Sequence, residues 1–252
     1  MGWQFDLYSA LLGAGFTLLL IGLIYLLQEP LQRGWQEARR VVLSAFGQVT
    51  AGWEARYRER VIHWAQGAHT LADLGPLEQY FVPAHVALQL SIPDPQQEPA
   101  PAPQVLSPSD ALQGHPRILL VGGPASGRTT LLAYLALTHA RPEGTRVPLY
   151  LYLPALDWAP TPEGKKAPTP AQRLVRGALQ AVGAPSPAAT VLRQALQAGG
   201  ALVLADGWDE LPPDAQESAT AWLIELADAL PGNLWVVAVG ARRYAPLVNA
   251  GF

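Results

Sequence analysis

The sequence predicts an α/β domain built on a three-layer parallel sheet, preceded by one transmembrane helix and an amphipathic stalk helix. Three observations predict it. Short apolar runs at 117–121, 147–153, 201–205 and 234–239 read as buried parallel strands. Stretches with helical spacing at 128–139, 171–182, 188–198 and 213–229 alternate with them, the order that places helices on both faces of a parallel sheet. Residues 7–28, LYSALLGAGFTLLLIGLIYLLQ, carry no charge between Asp6 and Glu29. As a helix they rise roughly 33 Å, enough for a hydrocarbon layer of about 30 Å.

Composition narrows the possibilities. Half of the 252 residues are hydrophobic, which allows a sizeable core. The formal charge is only −3 and the basic residues are scattered, so no field that would draw a nucleic acid is present and none is expected as a partner. With no cysteine, disulfides and thiolate metal sites are excluded. Lys165 and Lys166 are the only lysines among 17 basic residues, so the chain has a strong arginine bias.

The run at 7–28 reads as a membrane anchor rather than a cleaved leader, because no Lys or Arg precedes it and no small-x-small cleavage pattern follows. Arg33, Arg39, Arg40, Arg56, Arg58 and Arg60 follow the span, against Asp6 before it. This asymmetry predicts a single-pass protein of the cell membrane, N-terminus outside and C-terminal part cytoplasmic, in contact with lipid through residues 7–28. Between 31 and 66, Val42, Phe46, Val49, Trp53, Tyr57, Val61 and Trp64 recur at steps of three and four, the stripe of an amphipathic juxtamembrane helix. That stripe could lie on the membrane, pair with another copy, or pack on the following domain. Residues 67–90 form an apolar connector with a strand-like stretch. Residues 91–109, with six prolines, read as an exposed, semi-stiff linker before a domain at 110–252, within which 154–170 is a surface loop.

The chemistry sits in two segments. In RILLVGGPASGRTTLLAYLAL a strand ends at Gly122, a glycine-containing turn follows, and a helix starts near Gly127, the setting of a phosphate-binding loop. Backbone N–H groups of Gly122, Gly123, Ala125, Ser126 and Gly127, with Pro124 shaping the turn, would converge on phosphate oxygens together with the helix N-terminus. Arg128 would supply the cation, Thr129 a hydroxyl to Mg²⁺, and Thr130 a further hydroxyl contact. In ALVLADGWDEL a buried strand delivers Asp206 to its C-terminal edge, where open α/β sheets bind ligands. Asp206 is thus a candidate Mg²⁺ ligand. Gly207 would leave room beside the metal and phosphates, and Asp209 and Glu210 are candidate catalytic carboxylates that polarise a water.

Together these residues make the chain a P-loop NTPase by sequence. It resembles the NACHT group of STAND-type NTPases, relatives of the AAA+ fold, over roughly 75–252. The resemblance is carried by the GxPxSGxTTLL form at Gly122–Leu132, the DGxDEL block at Asp206–Leu211 and VVAVGARRY at 236–244, with the lead-in EQYFVP at 78–83 and VPLYLYLPAL around the second strand. It implies binding of ATP or GTP with Mg²⁺, a terminal-phosphate sensor at Arg242, closed and open states, and self-association on activation.

The chain departs from the family at two loop positions. Arg128 stands where the family has Lys, and Ala125 where it usually has Gly, which implies binding with weak hydrolysis. The chain also stops at Phe252, after its fourth strand, where the family fold places a fifth beside the loop strand. The sheet is therefore expected to be incomplete and the chain part of a longer protein. The function expected is a membrane-anchored nucleotide-binding signalling switch, and the alternative is a degenerate NTPase serving as an anchored interaction scaffold. An ATPase subunit of a membrane carrier fits poorly, since no LSGGQ-like signature is present.

Overall fold

A computed structural model describes residues 51–82, 86–88, 104–158, 167–241 and 244–252. The span at 7–28, the stalk residues before 51 and Arg242 lie outside them. Among the described residues no helix is long and apolar enough to cross a membrane. Residues Gly52–Phe252 make one compact unit.

Its centre is a four-stranded, all-parallel sheet of β3 (Arg117–Gly122), β4 (Val147–Tyr152), β5 (Ala201–Asp206) and β6 (Leu234–Gly240), ordered β3-β6-β5-β4. Each strand falls on a predicted apolar run. Every residue of β5 and the first six of β6 are buried. Side chains alternate across a strand, so burial at every position means both faces of the sheet are covered, as three layers require. The loop strand β3 stands at one end of the order, and its pattern is mostly half-buried, with Val121 42 % exposed.

The four predicted helices appear as α4 (Arg128–Ala140), α5 (Pro170–Ala181), α6 (Ala189–Gln197) and α7 (Pro213–Ala229). Their starts are written locally. Thr169 and Gln172 close a capping box on α5 with Pro170 at its first position, and Pro213 opens α7. Trp208 and Trp235 are fully buried in the core between these layers. Burial of side chains this large contributes on the order of 2–3 kcal/mol each. At the sheet's other end the buried Asn233 accepts from the Ala201 N–H (2.9 Å) and donates to the Leu196 (2.8 Å) and Leu230 (3.0 Å) carbonyls. One side chain thus ties the start of β5 to the ends of α6 and α7.

For the described part of the aromatic stripe, packing on the following domain is the outcome. Residues 51–67 form α1, and its Tyr57, Val61 and Ala65 are fully buried against the domain. Trp64 packs on Tyr150 of β4 with ring centroids 4.0 Å apart. The Val147 N–H bonds the Gly200 carbonyl on the β5 side, so the next residue, Pro148, faces outward. Proline costs nothing there because it has no N–H to offer. Its outward carbonyl accepts from the Tyr57 hydroxyl at 2.8 Å, and burial pushes that hydroxyl's pKa far up, so it stays a donor.

Two parts of the connector and linker are more ordered than expected. α2 (Leu77–Tyr80) leads to Phe81, which stacks on Tyr134 of α4 at 3.9 Å. β1 (Val86–Leu88) pairs antiparallel with β2 (Gln104–Leu106), and α3 (Pro108–Ala111) follows under a Ser107 cap. The C-terminal end of the segment expected as an exposed, semi-stiff linker therefore pairs as a strand and turns into a helix. The QVL triplet finds a partner strand, and the serine–proline pair starts a helix. α8 (Ala245–Asn249) follows β6 and buries Leu247.

Candidate functional site

β3 ends at Gly122 and α4 begins at Arg128, so the predicted loop is a strand-to-helix turn of five residues, 123–127. Gly127 caps α4 with a φ of 81° and no side-chain cap bond. The Leu131 N–H already reaches the Gly127 carbonyl at 2.8 Å. The N–H groups of Arg128, Thr129 and Thr130 precede that first intrahelical bond and have no helical acceptor. They form a set of convergent donors at the positive end of a 13-residue helix. A side chain at Gly127 would meet nothing within 4 Å, so the space over the turn is open. Thr129 is exposed and Thr130 half-buried.

Gly122 is needed for a different reason. A side-chain carbon there would collide with the Ser126 Oγ and lie 3.3 Å from the Arg128 Cγ. Ala125 has a φ of 59°, the one non-glycine residue with positive φ among the described residues. The position that the sequence flags as wanting glycine therefore does adopt the left-handed conformation.

Asp206 ends β5 at 7 % exposure, with both oxygens bonded: Oδ1 accepts from the Gly207 N–H (2.9 Å) and Oδ2 from the Tyr150 hydroxyl (3.2 Å). Burial first, then the Asp206 charge and this bond, push the Tyr150 pKa far up, so the phenol remains a donor. At Gly207 the close approach that demands glycine is to the protein itself. The residue takes a φ of 77°, and a side-chain carbon there would meet Pro154 Cδ at 2.7 Å and Tyr152 Cε2 at 2.8 Å. The space is filled by β4 and the turn after it, so glycine is required by the turn and by that close approach.

Trp208–Glu210 form one 3-10 turn. The Trp208 indole donates to Thr220 on α7 at 3.1 Å, which fixes the turn's orientation. The sequence gives Asp209 and Glu210 a water-orienting role, but in the structure each is engaged by the protein. Arg128 donates through both terminal nitrogens to the two oxygens of Asp209, at 3.3 and 3.1 Å. The Tyr152 hydroxyl donates to Glu210 Oε2 at 2.5 Å, and that bond leads the upward shift of its pKa. The structure thus gives each carboxylate its own partner: Arg128 for Asp209, and Tyr150 and Tyr152 of β4 for Asp206 and Glu210. No group of three or more His, Cys, Asp or Glu side chains converges on a metal position among the described residues.

Three contributors escape the sequence reading. Tyr150 and Tyr152 are two apart at the end of a strand, hence on one face, and Tyr152 is the register partner of Asp206. The YLY pattern at 150–152 puts both tyrosines on one face, but their place beside β5 follows only from the strand order. Gly240, the register partner of Gly122, also belongs to the site, because a side-chain carbon there would lie 2.9 Å from Asp209 Oδ2.

Comparison with protein-family models, curated proteins and solved structures returned no match.

Proposed function

We propose that the chain is a membrane-anchored, NACHT-like nucleotide-binding switch that takes ATP or GTP with Mg²⁺. The observation that supports it most is the pairing of an uncapped α4 N-terminus under an open glycine turn with a buried aspartate at the C-terminal end of the sheet. The donor set fits a phosphate chain: the amides of Arg128, Thr129 and Thr130 suit anionic oxygens. Thr129 and Asp206 would hold Mg²⁺, an ion that keeps several waters and needs only one or two protein oxygens. Bound Mg²⁺ would neutralise phosphate charge. Tyr150 holds Asp206 in one orientation, and Arg242 would sense the terminal phosphate. Residues 7–28 would tether the domain to the cytoplasmic face of the membrane, and self-association would follow activation.

Calorimetry of the 252-residue chain in micelles with Mg·ATP and Mg·GTP tests the reading. One nucleotide is expected to bind in the micromolar range, with Asp206→Ala weakening it at least about tenfold, as loss of a charged ligand implies. Undetectable binding by the parent, with Asp206→Ala indistinguishable from it, overturns the reading. Alkaline extraction tests the tether, and release of the chain into the soluble fraction counts against it.

One observation favours a second reading, that of a nucleotide-blind scaffold. Asp206, Asp209 and Glu210 each have a partner within the protein, and Ala125 strains the loop. A folded protein that ignores both nucleotides yet still captures a partner would support it.

A further inference from the structure

The Arg128–Asp209 contact spans the two halves of the site and is more than a chance meeting of surface charges. Both terminal nitrogens of Arg128 engage both oxygens of Asp209, and the side chains are only 17 % and 26 % exposed. Such fork-to-fork pairs are directional and charge-assisted, and a lysine in that place could make only a point contact. The backbone is shaped to receive the pair. Gly122 and Gly240 are register partners at the ends of the neighbouring strands β3 and β6, and each lies beneath one member of it. A side-chain carbon at Gly122 would crowd the Arg128 Cγ at 3.3 Å, and one at Gly240 would meet Asp209 Oδ2 at 2.9 Å. Asp206 and Glu210 are held by Tyr150 and Tyr152, so Asp209 is the member of the acidic block that answers Arg128.

We propose that Arg128 and Asp209 form an internal latch in which the carboxylate occupies the guanidinium that a terminal phosphate would take. A nucleoside triphosphate then has to displace Asp209 to bind fully, and in doing so frees the acidic turn. This rests on the nucleotide-binding reading and adds a regulation to it. A carboxylate and a phosphate offer the same planar fork the same kind of oxygen pair, so the two compete for one cation. A triphosphate brings more negative charge to that cation than a diphosphate does, so the latch opposes the triphosphate more strongly. The Trp208–Glu210 turn carries Asp209 and is bonded to α7 through Trp208 and Thr220. Opening the latch therefore reports the third phosphate to a helix on the domain surface.

The test is a set of affinities for tri- and diphosphate, ATP against ADP or GTP against GDP as the parent prefers, on the full chain in micelles with Mg²⁺. Asp209→Asn is expected to tighten the triphosphate about tenfold, the size expected for one partly buried charge pair, and the diphosphate by clearly less, so that the tri-to-diphosphate ratio rises. Gly240→Ala pushes the carboxylate off without touching the loop or the charges, and is expected to shift the ratio in the same direction. It carries the test if Asp209→Asn fails to fold. In an Arg128→Ala background the Asp209→Asn effect is expected to vanish. A parent that binds nucleotide, with both Asp209→Asn and Gly240→Ala leaving the tri-to-diphosphate ratio unchanged, overturns the latch alone. A folded parent that binds neither nucleotide overturns the nucleotide reading, and the latch with it.

Discussion

Ala125 holds a φ of 59° inside the loop that the site is built on. An L-residue with a side-chain carbon pays about 1–2 kcal/mol there, and glycine pays about 0.5–1 kcal/mol through its freer unfolded chain. Ala125→Gly is therefore expected to raise stability by a net ~0.5–1 kcal/mol, measured by urea unfolding. Arg128 is the other departure, and its consequence is kinetic. The parent is expected to hydrolyse nucleotide well below ordinary enzyme speed, about 1 s⁻¹. Arg128→Lys is expected to raise turnover, because a lysine holds Asp209 by one contact instead of two. Steady hydrolysis by the parent at or above that rate contradicts this. Both residues stand out in the sequence, since a motif assigns a type to each position. Their partners do not. Arg128 and Asp209 are 81 positions apart, and the pairing depends on which strands become neighbours and on a glycine in a third strand.

At the scale of elements, the four core strands follow the sequence closely because each is an unbroken apolar run, and the four long helices because each is long enough to show a period. β1, β2, α2 and α3 have three or four residues apiece, too few for periodicity to separate helix from strand. α1 is a different case. Its stripe is plain in the sequence, but a stripe states only that one face seeks cover, and the cover comes from β4 and α4. Tyr57→Phe keeps that packing and removes one hydroxyl, leaving the Pro148 carbonyl without its donor. A loss of about 1–2 kcal/mol is expected by chemical denaturation, the usual cost of an orphaned buried acceptor. A loss near zero would mean that water reaches that carbonyl and the helix is held by apolar contact alone.

The molecule as a whole carries a pH dependence at the end of α4. His139 is held below its ordinary pKa of 6.5, first by burial and then by the charges of Arg146 and Arg58, and its Nδ1 is buried with no hydrogen-bond partner among the described residues. The unfolded chain therefore takes up this proton more readily than the folded one. Stability present above pH 6.5 is lost as pH falls from that value through the lowered folded pKa. His139→Gln is expected to flatten the fall, read as melting temperature against pH. An unchanged slope would place the dependence on other groups.

The closure of β4 by α1 has a consequence for growth of the sheet. Tyr57 and Arg58 bond the Pro148 and Arg146 carbonyls along that margin, whereas β3 is flanked only by β6 among the described residues. A sheet with two open margins can add copies without limit and become a fibre. With the β4 margin covered by α1, no further strand can pair there. A loosened α1 would uncover the β4 edge and offer its unpaired carbonyls to a strand from another molecule.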